Sequence, residues 1–214
     1  TKEPQYQRAV DNKDSNGATQ LGILSNQTWQ DDPRHLVFVL ARYKFISKML
    51  SGKKNVLEVG CGDSFGTSIV RQEVEQLLAV DFDPILIKDG QDRMAGRWKF
   101  DHRVHDILSS PVDGQFDAAY AVDVLEHIPS EYEGRFMSNI IQSLDAAGVL
   151  IIGTPTIQSQ VYASEGSKEG HINCKDDGDL KNLMLEYFHN VFIFSMNDEV
   201  VHTGFYPMAH YLFA

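Results

Sequence analysis

The chain has 214 residues, 43% hydrophobic and 23% charged, the balance of an ordinary globular protein with enough length for a full core. Its 30 acidic against 19 basic residues give a formal net charge of −11, a field that repels phosphate backbones and anionic lipid, so no nucleic-acid or membrane partner is expected. Two cysteines, Cys61 and Cys174, are too few for a disulfide scaffold, and no cluster has metal-ligand spacing, so no metal is expected.

Residues 1–32 are polar and carry no apolar run of signal-peptide type, and no apolar run in the chain approaches the roughly 20 residues that span a bilayer. A soluble, cytoplasmic protein is the expectation. The segment 1–32 reads as a loosely ordered arm anchored by Trp29, and residues 33–214 as a single domain. From Pro33, the residues Leu36, Val37, Leu40, Tyr43, Ile46 and Leu50 recur at helical spacing, with Gly52 just past the end. Asn55 to Val59 is a short buried strand ending in glycines. A helix over Thr67 to Glu75 and a strand over Leu77 to Asp81 follow, then a helix from Pro84 to Arg93. Further strands are expected at Arg103 to His105, Phe116 to Ala121 and Val149 to Ile152, with a helix from about Glu131 to Leu144. Short apolar strands alternating with helices imply a parallel sheet covered on both faces.

The last third changes character. Residues 154–176 form a long polar stretch, of the length that serves as a lid or substrate loop. A helix over Asp179 to Phe188 precedes two strands, Val191 to Ser195 and Val200 to Phe213, joined at Asn197-Asp198 as an antiparallel hairpin.

In an open α/β sheet, ligands bind beyond the carboxyl ends of the strands. The first strand ends in Glu58-Val59-Gly60-Cys61-Gly62-Asp63-Ser64-Phe65-Gly66, where glycines let backbone approach a ligand. A dinucleotide fingerprint starting at Gly60 would require glycine where Phe65 stands, and the Gly-Lys-Ser/Thr of a P-loop is absent. An adenosine carrying an amino acid needs no phosphate cradle. It needs one carboxylate near its cationic end and another for the ribose diol. Glu58 and Asp81, each at a strand end, supply them. Taken alone, Asp81 reads instead as a cap for the helix at Pro84.

Together these runs resemble class I S-adenosylmethionine-dependent methyltransferases. Val56 to Gly66 is similar to their first motif and Leu78 to Asp81 to their second. His105-Asp106-Ile107 resembles their third, whose acidic residue holds the adenine amino group. Phe116-Asp117 through Asp123 to Ile128 resembles the fourth strand and its loop, and Ala147 to Ile152 the fifth strand. The departure is Ser64, where a third glycine is usual. The resemblance implies a Rossmann-like, seven-stranded, mostly parallel sheet with a C-terminal antiparallel hairpin and helices on both faces. It implies S-adenosyl-L-methionine as cofactor, contacted by Glu58, Gly60, Gly62, Asp81, Phe82, Asp106, Ile107 and Asp123.

Arg42, on the helix before the first strand, is placed to pair with the cofactor's carboxylate. His127, after the fourth strand, and His171, in the Ser-Lys-Glu-Gly-His-Ile-Asn loop, are the candidate bases for an acceptor hydroxyl. In that loop, His171 and Asn173 are expected on one side of an extended chain. The acceptor class implied is a small molecule or the sugar part of a glycoconjugate, by similarity to surface-polysaccharide methyltransferases. Three other readings stand beside it. A protein or RNA methyltransferase is weighed against by the acidic charge. An inactive cofactor-binding partner subunit is weakly opposed by the intact acidic residues. Phe65 opposes a nicotinamide oxidoreductase.

Overall fold

The computed structural model describes residues 1–94, 96–204 and 206–214. In chain order the elements are α1 (Gln7–Asn16), α2 (Ile23–Asp31), α3 (Pro33–Met49), β1 (Asn55–Val59), α4 (Thr67–Arg71), β2 (Gln76–Asp81), α5 (Pro84–Arg93), β3 (Asp101–Val104), β4 (Phe116–Val122), α6 (Ser130–Ser143), β5 (Leu144–Pro155), α7 (Glu165–Gly170), α8 (Asp177–Leu185), β6 (Phe194–Asn197), β7 (Val200–His202) and β8 (Tyr211–Phe213). They build one sheet in the order β3-β2-β1-β4-β5-β8-β6-β7. β1 pairs in parallel with both β2 and β4, so the winding reverses between them and opens a crevice at their carboxyl ends.

Local chemistry explains the helix starts. Asp32 accepts from the Arg34 amide with Pro33 in the first turn of α3, and Asp83 does the same for Ile85 ahead of Pro84. Because Asp83 is the cap of α5, Asp81 is left for other work. One face of the sheet is covered by α6 and α8 through Phe136, Met137, Ile140 and Leu180, all fully buried. The other face is covered by α3, α4 and α5 through Ile46, Val70 and Ile87. Each such side chain contributes about 1.5–3 kcal/mol by leaving water.

The sheet has eight strands where seven were expected, because the stretch Val200 to Phe213 is two strands. Pro207, which has no amide to donate, sits in a 3-10 turn (Tyr206–Met208) between β7 and β8. Phe205, inside that expected strand, lies outside the described residues. The expected hairpin at Asn197-Asp198 is present, with Asn197 paired to Val200 and Asp198 at φ 52°. β8 then returns between β5 and β6, antiparallel to both.

The segment read as a loosely ordered arm contains two helices. α1 buries none of its residues, whereas α2 is fixed to the rest. The Ser25 amide and hydroxyl both donate to Asp63, at 2.7 and 3.1 Å, and the Ile23 amide donates to Asp89 at 3.2 Å. Leu24 packs over Gly62, while Trp29, the expected anchor, stays half exposed. No helix among the described residues is long and apolar enough to cross a membrane.

Candidate active site

The loop after β1 turns on backbone few residues adopt. Gly60 has φ 73° and Gly62 φ 53°, and a Cβ on Gly60 would strike the Val124 side chain. Ser64, standing where the resemblance expects glycine, also has positive φ, 54°, and holds it with a 2.8 Å hydrogen bond between its hydroxyl and His102. The Gly60 and Cys61 amides donate to the Val80 carbonyl at 2.8 and 3.0 Å, which ties the loop to β2. Asp81 completes the tie. Its Oδ2 accepts from the Gly62 amide and its Oδ1 from the Asp83 amide, both at 2.9 Å. Beside it Phe82 projects with 73% of its surface exposed, an uncovered ring at the crevice.

Glu58 lies beneath the loop, fully buried, and accepts a 2.6 Å hydrogen bond from the Thr67 hydroxyl of α4. Burial pushes its carboxyl up to about 7, against the Thr67 bond that favours the carboxylate. The folded value lies above the ordinary 4.5. The stability this group adds is therefore complete below pH 4.5 and is lost as pH rises through about 7. In urea unfolding between pH 4.5 and pH 8, Glu58→Gln is expected to lose on the order of 2 kcal/mol less stability than the unaltered chain. Equal slopes for the two proteins would assign the pH dependence elsewhere.

At the end of β4, Asp123 stands at φ 57° with its amide donating to the Gly153 carbonyl at 3.0 Å. Its carboxylate accepts from Arg42 Nη1 at 2.6 Å, and the Arg42 guanidinium lies 4.0 Å above the Tyr211 ring. Arg42 thus reaches the crevice, as its place on α3 suggested, but its partner is Asp123.

A 3-10 turn, Leu125–His127, follows. Glu126 is almost completely buried; burial and the Asp123 carboxylate push it well above the usual range. The amides of Ile172 and Asn173 both donate to the Glu126 carbonyl, at 2.8 and 3.0 Å, stitching the loop after β5 onto the turn after β4. This brings the two candidate bases together, with the His127 and His171 rings 5.2 Å apart, edge to face. Asn173 does not share their side. It is buried and donates to Glu133 of α6 at 2.8 Å, next to the Lys175–Glu133 ion pair at 2.6 Å, and so anchors the loop.

Asp106 follows β3 and accepts from the Leu108 amide at 2.8 Å, an exposed turn carboxylate. Ile107 turns its side chain into the core and its carbonyl accepts from Asn139 at 2.6 Å, so what remains for a ligand there is backbone. Sequence reasoning passed over Glu126 and Asp63. The adjacency of Glu126 to His127 was the only available sign of the first, and the second depends on α2 folding back.

Residues 57–152 match the family model described as "Methyltransferase domain". A ubiquinone biosynthesis O-methyltransferase of Xanthomonas axonopodis pv. citri (strain 306) is 29% identical over 116 residues, which cover 51% of this chain and 48% of that protein. A probable S-adenosylmethionine-dependent methyltransferase of Mycobacterium tuberculosis is 25% identical, over 48% of this chain and 36% of its own length. The matches thus span half or less of those relatives. The N-methyltransferase NodS from Bradyrhizobium japonicum WM9 superposes with a TM-score of 0.63 at 18% identity, covering 86% of this chain and 95% of that one. Its complex with S-adenosyl-l-homocysteine gives 0.61 at 19% identity, over 81% and 82%. At that identity the likeness is one of fold. An open α/β sheet with its cleft at the β1–β4 reversal defines the class of protein. The family match covers residues 57–152, and over that region the chain is similar to S-adenosylmethionine-dependent methyltransferases in sequence and, more widely, in fold.

Proposed function

We propose that this chain binds S-adenosyl-L-methionine and methylates a hydroxyl of a small molecule or of the sugar part of a glycoconjugate. The observation that carries the reading is the Asp81 carboxylate at the carboxyl end of β2, joined to the Gly62 amide across a loop with no room for a Cβ at Gly60. The residues fit the cofactor. Asp81 offers two oxygens to a ribose diol, Phe82 an uncovered ring to adenine, and the Gly60–Gly62 backbone a close approach without a phosphate cradle. Asp106 and the Ile107 backbone lie at the next strand end, where the adenine amino group would be held.

Glu58 acts on the loop from below through Thr67, and Leu24 on α2 covers Gly62 and keeps water from it. The bound cofactor supplies an electrophilic methyl on a sulfonium. The chain's own task is to position, to exclude water and to handle the acceptor's proton. His127 and His171, held together at the mouth of the crevice, act on the acceptor hydroxyl. The loop 154–176 that carries His171 is the substrate loop of a domain spanning 33–214. Methyl transfer to oxygen is supported by the Xanthomonas relative, which is named an O-methyltransferase. A cytoplasmic setting is supported by the two unpaired cysteines.

Calorimetry with S-adenosylhomocysteine and with NAD tests the cofactor. Binding of NAD and not of S-adenosylhomocysteine would sink the reading. A panel of nucleotide-linked sugars and small hydroxylated acceptors, read by S-adenosylhomocysteine release, tests the acceptor. Turnover unchanged after replacing both His127 and His171 with alanine would refute their role.

A further inference from the structure

We propose that Glu126, His127 and His171 form a binding site for a divalent first-row transition-metal cation. One ligand atom from each, a carboxylate oxygen and two imidazole nitrogens, lies within 4.8 Å of the others. Ligand atoms around a single cation at about 2.0–2.2 Å stand some 3–4 Å apart, so the set closes with shifts of roughly an ångström or less. No spacing in the sequence announces it. Glu126 and His127 are neighbours, and His171 arrives through the main-chain bonds of Ile172 and Asn173 to the Glu126 carbonyl.

The ring nitrogens are already sorted for ligation. His127 Nδ1 lies 2.9 Å from the Gly170 carbonyl oxygen and His171 Nδ1 2.8 Å from Gln160 Oε1. A carbonyl oxygen only accepts, so each ring donates at Nδ1 and, when neutral, keeps its lone pair at Nε2. The Gln160 orientation is fixed independently, because its amide nitrogen donates to the Thr156 carbonyl at 3.1 Å and faces the Ser159 hydroxyl at 3.3 Å. Close contact between Gly170 and the His127 ring, where a Cβ would sit only 3.3 Å away, holds that ring in place.

A second, independent observation concerns the same carboxylate. Glu126 is 1% exposed; one carboxylate oxygen faces the Thr154 hydroxyl at 3.3 Å, while Oε1 is buried with no hydrogen-bond partner among the described residues. A cation held by the two imidazoles and the Glu126 carboxylate supplies the charge that this buried group lacks. Arg42, whose charge acts on Glu126, is tied to Asp123 through Nη1. Two imidazoles and one carboxylate suit manganese, iron, cobalt or zinc better than magnesium or calcium, which prefer all-oxygen ligands. His127 is exposed and His171 half-buried, so the remaining coordination positions face solvent at the crevice mouth. There they are open to an acceptor oxygen. That last role rests on the proposed methyl transfer and makes the two imidazoles ligands in place of bases; the binding itself does not depend on it.

The test uses the full chain, stripped with chelator and exchanged into chelator-free buffer. Manganese binding is followed by loss of the free-ion electron paramagnetic resonance signal, and zinc binding by calorimetry. One equivalent is expected to bind. His171→Gln and Glu126→Gln are each expected to weaken it about ten-fold or more, and the His127→Gln/His171→Gln pair to abolish it. Metal should raise the unfolding temperature of the unaltered chain and leave that of the pair unmoved. No binding of either ion up to roughly 1 mM, or equal binding by the double variant, would overturn the site. S-adenosylhomocysteine binding, measured alongside, reports that each variant is folded. Its absence in the unaltered chain would overturn the cofactor reading while the metal titration still decides the site.

Discussion

Replacing Asp81 with alanine is expected to weaken S-adenosylhomocysteine binding roughly 100- to 10,000-fold. Two hydrogen bonds from ribose hydroxyls to a carboxylate are each worth about 1.5–3 kcal/mol, and each 1.4 kcal/mol is a factor of ten. The loss is compounded within the loop. Asp81 also receives the Gly62 and Asp83 amides, so alanine frees the backbone that the ligand must approach. Urea unfolding should register this as about 1–2 kcal/mol of lost stability. Asp81→Asn separates the two contributions. An asparagine keeps one acceptor but places an NH2 against the other amide donor, so it should bind about ten-fold less well and lose about 1 kcal/mol of stability, less than alanine does. Calorimetry on folded Asp81→Ala showing affinity within about three-fold of the unaltered chain would remove Asp81 from the cofactor site.

The fold was most legible where a local chemical signal marks both ends of an element. Pro84 to Arg93 and the helix from Pro33 were read closely because aspartate, proline and an apolar stripe coincide there. β1, β2 and β4 were readable because strands buried on both faces show continuous apolar runs. Legibility fell where tertiary contacts decide. α2 has no apolar stripe, and its order depends on Ser25 reaching Asp63, 38 positions away. β7 is a three-residue edge strand beginning at exposed Val200, too short to show a period. Within the loop 154–176, α7 is a single polar turn-and-a-half capped by Ser164, with no buried residue to mark it.

The candidate site divides the same way. Gly60, Gly62 and Asp81 could be found because each lies at a strand end whose position follows from its own strand. Phe65 could exclude a pyrophosphate because that is a local steric matter. Ser64 looked like a departure, yet it keeps the glycine-like backbone at φ 54°, and His102, from β3, supplies the bond that holds it. Arg42 was assigned to a ligand because its protein partner, Asp123, lies 81 positions on. The pairing of His127 with His171, and the Glu126 carboxylate beside them, follow from two main-chain bonds between loops. Nothing in either loop alone encodes that contact.

The Arg42–Asp123 pair is where the largest loss of stability is expected. Arg42 comes from α3, Asp123 from the end of β4 and Tyr211 from β8, so one ion pair and one ring contact join three elements at the crevice. Asp123→Ala removes the counter-charge of a largely buried guanidinium, which costs about 2–4 kcal/mol, since a charge left unpaired in the interior keeps its desolvation penalty. It also puts alanine at φ 57°, adding roughly 1 kcal/mol that aspartate and asparagine largely avoid. The sum is about 3–5 kcal/mol in urea unfolding. Asp123→Asn keeps the backbone preference and an oxygen for Arg42 Nη1, and should cost about 1 kcal/mol. Arg42→Met combined with Asp123→Asn removes the stranded charge and should recover much of the loss seen in Asp123→Ala. If Asp123→Ala instead lies within about 1 kcal/mol of the unaltered chain, the pair is a surface contact in energetic terms. Arg42 would then be free to meet a ligand's carboxylate, the role its place on α3 first suggested.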